Sequence, residues 1–185
     1  MNKPFFKIHD NLFGPSLIDT LYGSFRDEKP WKFIGGGGPN LNHRKFQYVL
    51  NKEDEIDNIL FKKADDILKK ENLFDSVKLL EDGSVNAYAS GYLYGTLHDF
   101  HKDGAVQYDH IYTVMFYLNK VWEITYAGET VFLNADNTEI EQAIIPKPGR
   151  ALLFDGFITH AAREISRSCI ELRMVATLKY ERKNV

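Results

Sequence analysis

Between positions 98 and 103 the chain reads His-Asp-Phe-His-Lys-Asp, two histidines and two aspartates in six residues. Such a cluster is either a solvated charged loop or part of a metal site. On a strand, alternate side chains leave from the same face, so His-x-Asp sends an imidazole and a carboxylate the same way. Of the six histidines, at 9, 43, 98, 101, 110 and 160, only His101 has an acid two positions later. His101 and Asp103 are therefore the first candidate ligands, with His98 and Asp99 as neighbours on the way in.

Two groups from one stretch make a weak site, and a surface ion pair explains them equally well. A third ligand must come from elsewhere. His160 follows the apolar run "GRALLFDGFIT" and is placed to supply it. Two histidines and one carboxylate on one face leave half of an octahedral shell open, which is the arrangement of non-haem Fe(II) oxygenation sites. Further on, Arg173, Val175, Thr177 and Lys179 share one side of a regular strand. An arginine facing a β interior needs an anion, because an unpaired buried charge is costly. Its planar fork suits a carboxylate such as the far end of 2-oxoglutarate. A structural ion pair with Glu129 or Glu171 is the competing role for Arg173.

These groups need a rigid frame. "GPSLIDTLYGSFR" and "NKEDEIDNILFKKADDILKKENL" carry apolar residues at helical spacing, and in the second acids lead and lysines trail. From about residue 77 the pattern changes to short apolar runs punctuated by Gly, Pro, Asn and Asp: "IYTVMFYLNKVW", "GETVFL", "EQAIIP", "GRALLF", "ELRMVATLKYE". "SVKLLEDGSVNAYASGYLY" reads as a hairpin turning at Asp82-Gly83. Many short strands predict a sandwich, jelly roll or barrel. The expectation is one domain over residues 1–185, mainly β with flanking α: N-terminal helical support over about 1–76, packed on one sheet of a β core over about 77–181. The "GGGG" run at 35–38 is either a plain connection or a lid.

Composition narrows the classes. Hydrophobic residues are 44% and charged residues 26%, as in an ordinary folded domain. The net charge of −3 argues against a partner held through phosphates, so nucleic acid is not expected. A single cysteine, Cys169, rules out an intrachain disulfide and suits a reducing, cytoplasmic setting. No apolar run is long enough to span a bilayer, and "MNKPFFKIHDNLF" lacks a signal-peptide core.

Over roughly residues 84–180 the sequence resembles the prolyl-4-hydroxylase-like branch of the Fe(II)/2-oxoglutarate dioxygenases. The resemblance rests, in order, on the Tyr-rich "YASGYLY", His101-x-Asp103, "FYLN", "AGETVF", "IIPKPGRALLF", His160 and the basic residue of "RMVATL". It implies the double-stranded β-helix, a cupin-like jelly roll. It implies Fe(II) on His101, Asp103 and His160, with 2-oxoglutarate, O2 and ascorbate as cosubstrates or reductant. It also implies that Arg173 and the Tyr117 hydroxyl hold the distal carboxylate of 2-oxoglutarate, while Tyr88 and Thr177 line its pocket. A carboxylate at 103 implies hydroxylation rather than the halogenation of relatives that have a small residue there. The implied reaction hydroxylates an unactivated C–H bond, in a prolyl residue of a protein or peptide, with release of succinate and CO2. A free amino acid or small metabolite is the alternative substrate, and a non-catalytic cupin-type binding module is the rival of another class. Two features depart from the pattern. Ala127 replaces the first glycine of the "GGET" motif, and the stretch from His160 to Arg173 is longer than usual. That insert brings in Arg163 and Arg167, so Arg167 and Lys179 compete with Arg173 for the distal carboxylate.

Overall fold

The computed structural model of the protein describes residues 5–34, 45–81, 85–96, 98–104 and 110–183. Its longest helix, α2 (Glu55–Lys70), begins where the Asp54 side chain accepts hydrogen bonds from the backbone N–H groups of Ile56 and Asp57, both at 3.0 Å. That satisfies two of the donors a helix start leaves orphaned. The stripe Leu60, Ala64, Ile67 and Leu68 is buried, as its spacing predicts. Helix α1 (Pro15–Gly23) runs on into a π turn over Ser24–Glu28. Asp57 is fully buried and anchors α2 to its surroundings. It accepts from the Tyr48 hydroxyl and the Asn51 N–H, each at 2.8 Å, and meets the Lys29 ammonium at 2.9 Å.

Eleven strands follow one another among the described residues: β1 (Phe6–His9), β2 (Lys32–Ile34), β3 (Lys45–Val49), β4 (Val77–Leu79), β5 (Ala87–Tyr92), β6 (Ile111–Tyr117), β7 (Thr130–Leu133), β8 (Ile140–Ile144), β9 (Ala151–Asp155), β10 (His160–Ala162) and β11 (Arg173–Arg182). The large sheet has the order β1-β9-β6-β11-β5-β3-β2, with β4 also on β11, and the small sheet is β10-β7-β8. The N-terminal third thus supplies three strands to the large sheet besides its two helices. Strand β4 does not form a hairpin with β5. Both pair with β11, one after the other, Tyr180 opposite Leu79 and Thr177 opposite Tyr88. The expected turn at Asp82-Gly83 and the glycine run at 35–38 lie outside the described residues.

Strand parity sorts the side chains into two cores. Val114, Phe116, Leu153, Met174, Ala176 and Leu178 face the helices and pack with Phe25, Leu60, Ala64 and Leu68. Met115, Tyr117, Leu152, Phe154, Val175 and Tyr92 face the other way, against Phe132 and Ile144 of the small sheet. The central strands are covered on both faces, which explains why "IYTVMFY" carries so little polarity. Each large apolar side chain buried this way contributes roughly 1.5–3 kcal/mol relative to exposure. One end of the space between the sheets stays open, and polar residues collect there. No helix among the described residues is long and apolar enough to cross a membrane.

Candidate active site

His160 is the first residue of β10, and a single antiparallel bridge ties it to His101. The His101 N–H donates to the His160 carbonyl at 3.0 Å, and the reverse bond is 2.9 Å. The His101–Asp103 segment is otherwise irregular rather than a full strand, so this bridge, not a ladder, aims the His-x-Asp pair. Two more bonds hold the turn: the Asp103 and Gly104 N–H groups both donate to the Gly156 carbonyl, at 2.8 and 3.0 Å.

The ligand atoms of His101, Asp103 and His160 lie within 4.8 Å of one another. His101 Nε2 is 3.8 Å from one Asp103 oxygen, and His160 Nε2 is 3.6 Å from the other. Each imidazole uses its Nδ1 on a backbone carbonyl, His101 on Asp99 at 3.0 Å and His160 on Ile158 at 2.9 Å. A carbonyl only accepts, so Nδ1 carries the hydrogen and Nε2 presents a lone pair. Burial, then the nearby His160, lowers the His101 pKa to about 4. Burial alone would raise the Asp103 carboxyl, but His160, Lys179 and His101 hold it down to about 2. Neutral imidazoles and an anionic carboxylate are the donor set a divalent ion needs. Asp103 is braced by the Thr113 hydroxyl at 2.7 Å and the Lys179 ammonium at 2.8 Å.

The triad forms part of the lining of a cavity, together with Tyr88, Tyr92, Thr130, Arg173 and Thr177. Arg173 is 1% exposed. Its Nε donates to the Gly128 carbonyl at 2.7 Å and one terminal nitrogen to Thr130 Oγ1 at 2.9 Å. Its guanidinium lies 5.5 Å from the Tyr92 ring centre and 5.7 Å from that of Tyr117. No carboxylate among the described residues pairs with it, and Glu171 instead accepts from Tyr22 at 2.6 Å. Arg163 and Arg167 are exposed, and Arg167 donates to the Tyr94 hydroxyl at 3.2 Å. Lys179 is engaged with Asp103. Of the basic residues weighed for a cosubstrate carboxylate, Arg173 is the one that lines the cavity without a counter-charge.

Tyr117 is buried beside Arg173. Its hydroxyl donates to Thr130 Oγ1 at 2.8 Å, the oxygen that also receives Arg173. Thr130 therefore joins the two. Tyr88 and Thr177 are opposite each other in register and both line the cavity, and burial pushes the Tyr88 hydroxyl well above its usual pKa.

Sequence reasoning missed Tyr92, Thr113, Thr130 and Lys45. Tyr92 has the strand parity of Tyr88, and Thr113 that of Tyr117, so alternation carried a signal for both. His98, a sequence neighbour of the His-x-Asp pair, also lines the cavity, its ring 4.6 Å from that of His101. His110 instead turns to Asp155 at 3.6 Å. The Trp122 indole donates to the Ala127 carbonyl at 2.9 Å, and Trp31 donates to the Phe25 carbonyl at 2.6 Å.

Fold and site together define a jelly-roll protein with an open two-histidine, one-carboxylate centre. The family model of the 2OG-Fe(II) oxygenase superfamily matches residues 83–180, just over half of the chain, and the protein belongs to that superfamily. No curated protein matches the chain. Among solved structures, a Pseudomonas putida prolyl-4-hydroxylase superposes with a TM-score of 0.73 at 16% identity, covering 98% of this chain and 94% of that one. A prolyl hydroxylase from Trichoplax adhaerens, in complex with a hypoxia inducible factor oxygen degradation domain peptide fragment, gives 0.71 at 17% identity, over 96% and 83%. HygX from Streptomyces hygroscopicus, with nickel, 2-oxoglutarate and hygromycin B bound, gives 0.69 at 11%, over 97% and 84%. These likenesses share the fold. The family's Fe(II), 2-oxoglutarate and O2 fit the donor set and the unpaired arginine described above.

Proposed function

We propose that the protein is a cytoplasmic hydroxylase that inserts oxygen into an unactivated C–H bond of a prolyl residue in a protein or peptide, releasing succinate and CO2. The observation that carries it is the convergence of two imidazole Nε2 atoms and one carboxylate beside a buried arginine that no carboxylate among the described residues pairs with. His101, Asp103 and His160 would hold Fe(II). Arg173, seated by Gly128 and Thr130, would receive the distal carboxylate of 2-oxoglutarate. Tyr117 acts through Thr130, while Tyr88, Tyr92 and Thr177 wall the cosubstrate from water. Bound iron and 2-oxoglutarate supply the O2 activation; the protein supplies orientation and a dry cavity. Ascorbate would keep the metal ferrous.

The two prolyl hydroxylase neighbours support a prolyl substrate. The neighbour carrying hygromycin B supports a small-molecule substrate as the second reading. The test is succinate formation from 2-oxoglutarate with Fe(II), together with mass spectrometry of candidate peptides and metabolites for products that gain one oxygen atom. His101→Ala should abolish both. A binding module of the cupin type would give no succinate with any candidate, and a chlorinated product would contradict hydroxylation.

A further inference from the structure

Lys45 stands beside the site, and the proposed reaction leaves it unused. It stands at the start of β3, one step beyond the Phe46–Gly91 pair and so beside Tyr92 of β5. Parity puts Lys45, Gln47 and Val49 on the same face as Tyr88 and Tyr92, the face that lines the cavity. The Lys45 ammonium lies 5.0 Å from the centre of the Tyr88 ring. It is half-buried, and no carboxylate among the described residues pairs with it. Burial first, then the charge of Lys179, lowers its pKa to about 8, against an upward pull from Asp103.

The charges around it are otherwise accounted for. Asp103 is braced by Lys179 and faces the two imidazoles. Arg173 suits the distal carboxylate of 2-oxoglutarate. Lys45 is left as a partly desolvated cation with no ion-pair partner among the described residues, over the ring of Tyr88, which lines the cavity. The same sheet face continues outward through Lys32, Ile34, Gln47 and Val49, which line a neighbouring depression. An arriving molecule therefore meets a second lysine and apolar surface, and no acid, along β2 and β3.

Resting on the functional reading above, we propose that the primary substrate carries a carboxylate and that Lys45, over the face of Tyr88, receives it. Lys45 is then a specificity-determining residue: it selects substrates with a carboxylate close to the oxidised C–H bond. The carboxylate is that of a free amino acid, or that of a peptide through its C-terminus or an acidic residue beside the target.

Selective acetylation with an N-hydroxysuccinimide ester, read by peptide mass spectrometry, reports occupancy at Lys45 without turnover. The protein is loaded with Mn(II) and 2-oxoglutarate. The probes are matched pairs: free L-amino acids against their carboxamides, and short proline peptides with free against amidated ends and with Glu against Gln beside proline. A carboxylate-bearing probe should slow acetylation of Lys45 about tenfold while its neutral partner does not. With Fe(II), Lys45→Met should lower kcat/KM for that probe about 30-fold or more, and Lys45→Arg should recover part of the loss. The pair that responds tells the free acid from the peptide. Equal protection by acid and amide, protection by 2-oxoglutarate alone, no protection by any acid, or a Lys45→Met loss equal for both partners would each overturn the proposal. Succinate formation by the wild type separates the failures. Its absence removes the functional reading, whereas succinate without a preference for acid over amide removes only the Lys45 contact.

Discussion

Arg173 and Tyr117 meet on a single oxygen: both donate to Thr130 Oγ1, at 2.9 and 2.8 Å. A hydroxyl has two lone pairs and one hydrogen, so two donors fill its acceptor capacity and leave its hydrogen to point elsewhere. The arginine is thereby fixed at one wall of the cavity before any cosubstrate arrives, which lowers the ordering cost of binding.

Thr130→Val keeps the volume of that side chain and removes the shared acceptor. Two buried donors would lose a partner, at a cost of about 1–3 kcal/mol in unfolding free energy. The KM for 2-oxoglutarate should rise about tenfold, because Arg173 is no longer held in place, with a smaller change in kcat. Denaturant titration and steady-state succinate formation measure the two effects. An unchanged KM would mean that Arg173 is positioned without Thr130.

Thr113→Val tests the support behind the proposed metal-binding carboxylate, Asp103. The hydroxyl donates to Asp103 at 2.7 Å, with Lys179 bracing the other oxygen. Loss of a partner behind a ligand typically lowers metal affinity about 10–100-fold. Competition against a chelator with Mn(II) reads this directly. The folded protein should retain its circular dichroism spectrum.

Ala127 occupies φ 54°, ψ −139°, a backbone region that strongly favours glycine. It is also the position where the resemblance leads one to expect glycine. Ala127→Gly should therefore stabilise the protein by about 1 kcal/mol, relieving part of a strain of roughly 1–3 kcal/mol. The gain would appear as a higher midpoint in urea at unchanged m-value. A lower midpoint would show that the methyl group is worth more than the strain.

Metal-free protein should lose stability as pH falls from about 6.5 toward 4. In that interval the unfolded chain protonates a histidine at its ordinary pKa of 6.5, while folded His101, lowered to about 4, does not. The unfolded state then binds more protons, so stability drops with pH. His9, also lowered, mainly by burial, acts in the same direction. Asp103 adds its loss only below its ordinary 3.8, as the folded carboxyl titrates down to about 2. Urea midpoints of wild type and His101→Gln at several pH values provide the check, and the variant should show the shallower slope.

The sequence alone determined the parts whose signals are periodic or local. Arg173, Val175 and Thr177 share the cavity face because strand alternation leaves no other choice, and α2 lies where its capping aspartate and apolar stripe require. The order of the motifs marked His101, Asp103, His160 and Arg173 as one constellation. What the sequence could not hold is distance between residues far apart in the chain. It read β4 and β5 as a hairpin, because neighbouring strands usually pair, whereas long-range hydrogen bonding to β11 claimed both. It had no signal for Lys45, whose placement follows from the pairing of β3 with β5. Likewise, Thr130 became the oxygen shared by Arg173 and Tyr117 only because the small sheet closes over the large one. Local propensity and alternation are written residue by residue, but the burial of a charge and the partner it is given are set by packing between strands that the chain brings together only when it folds.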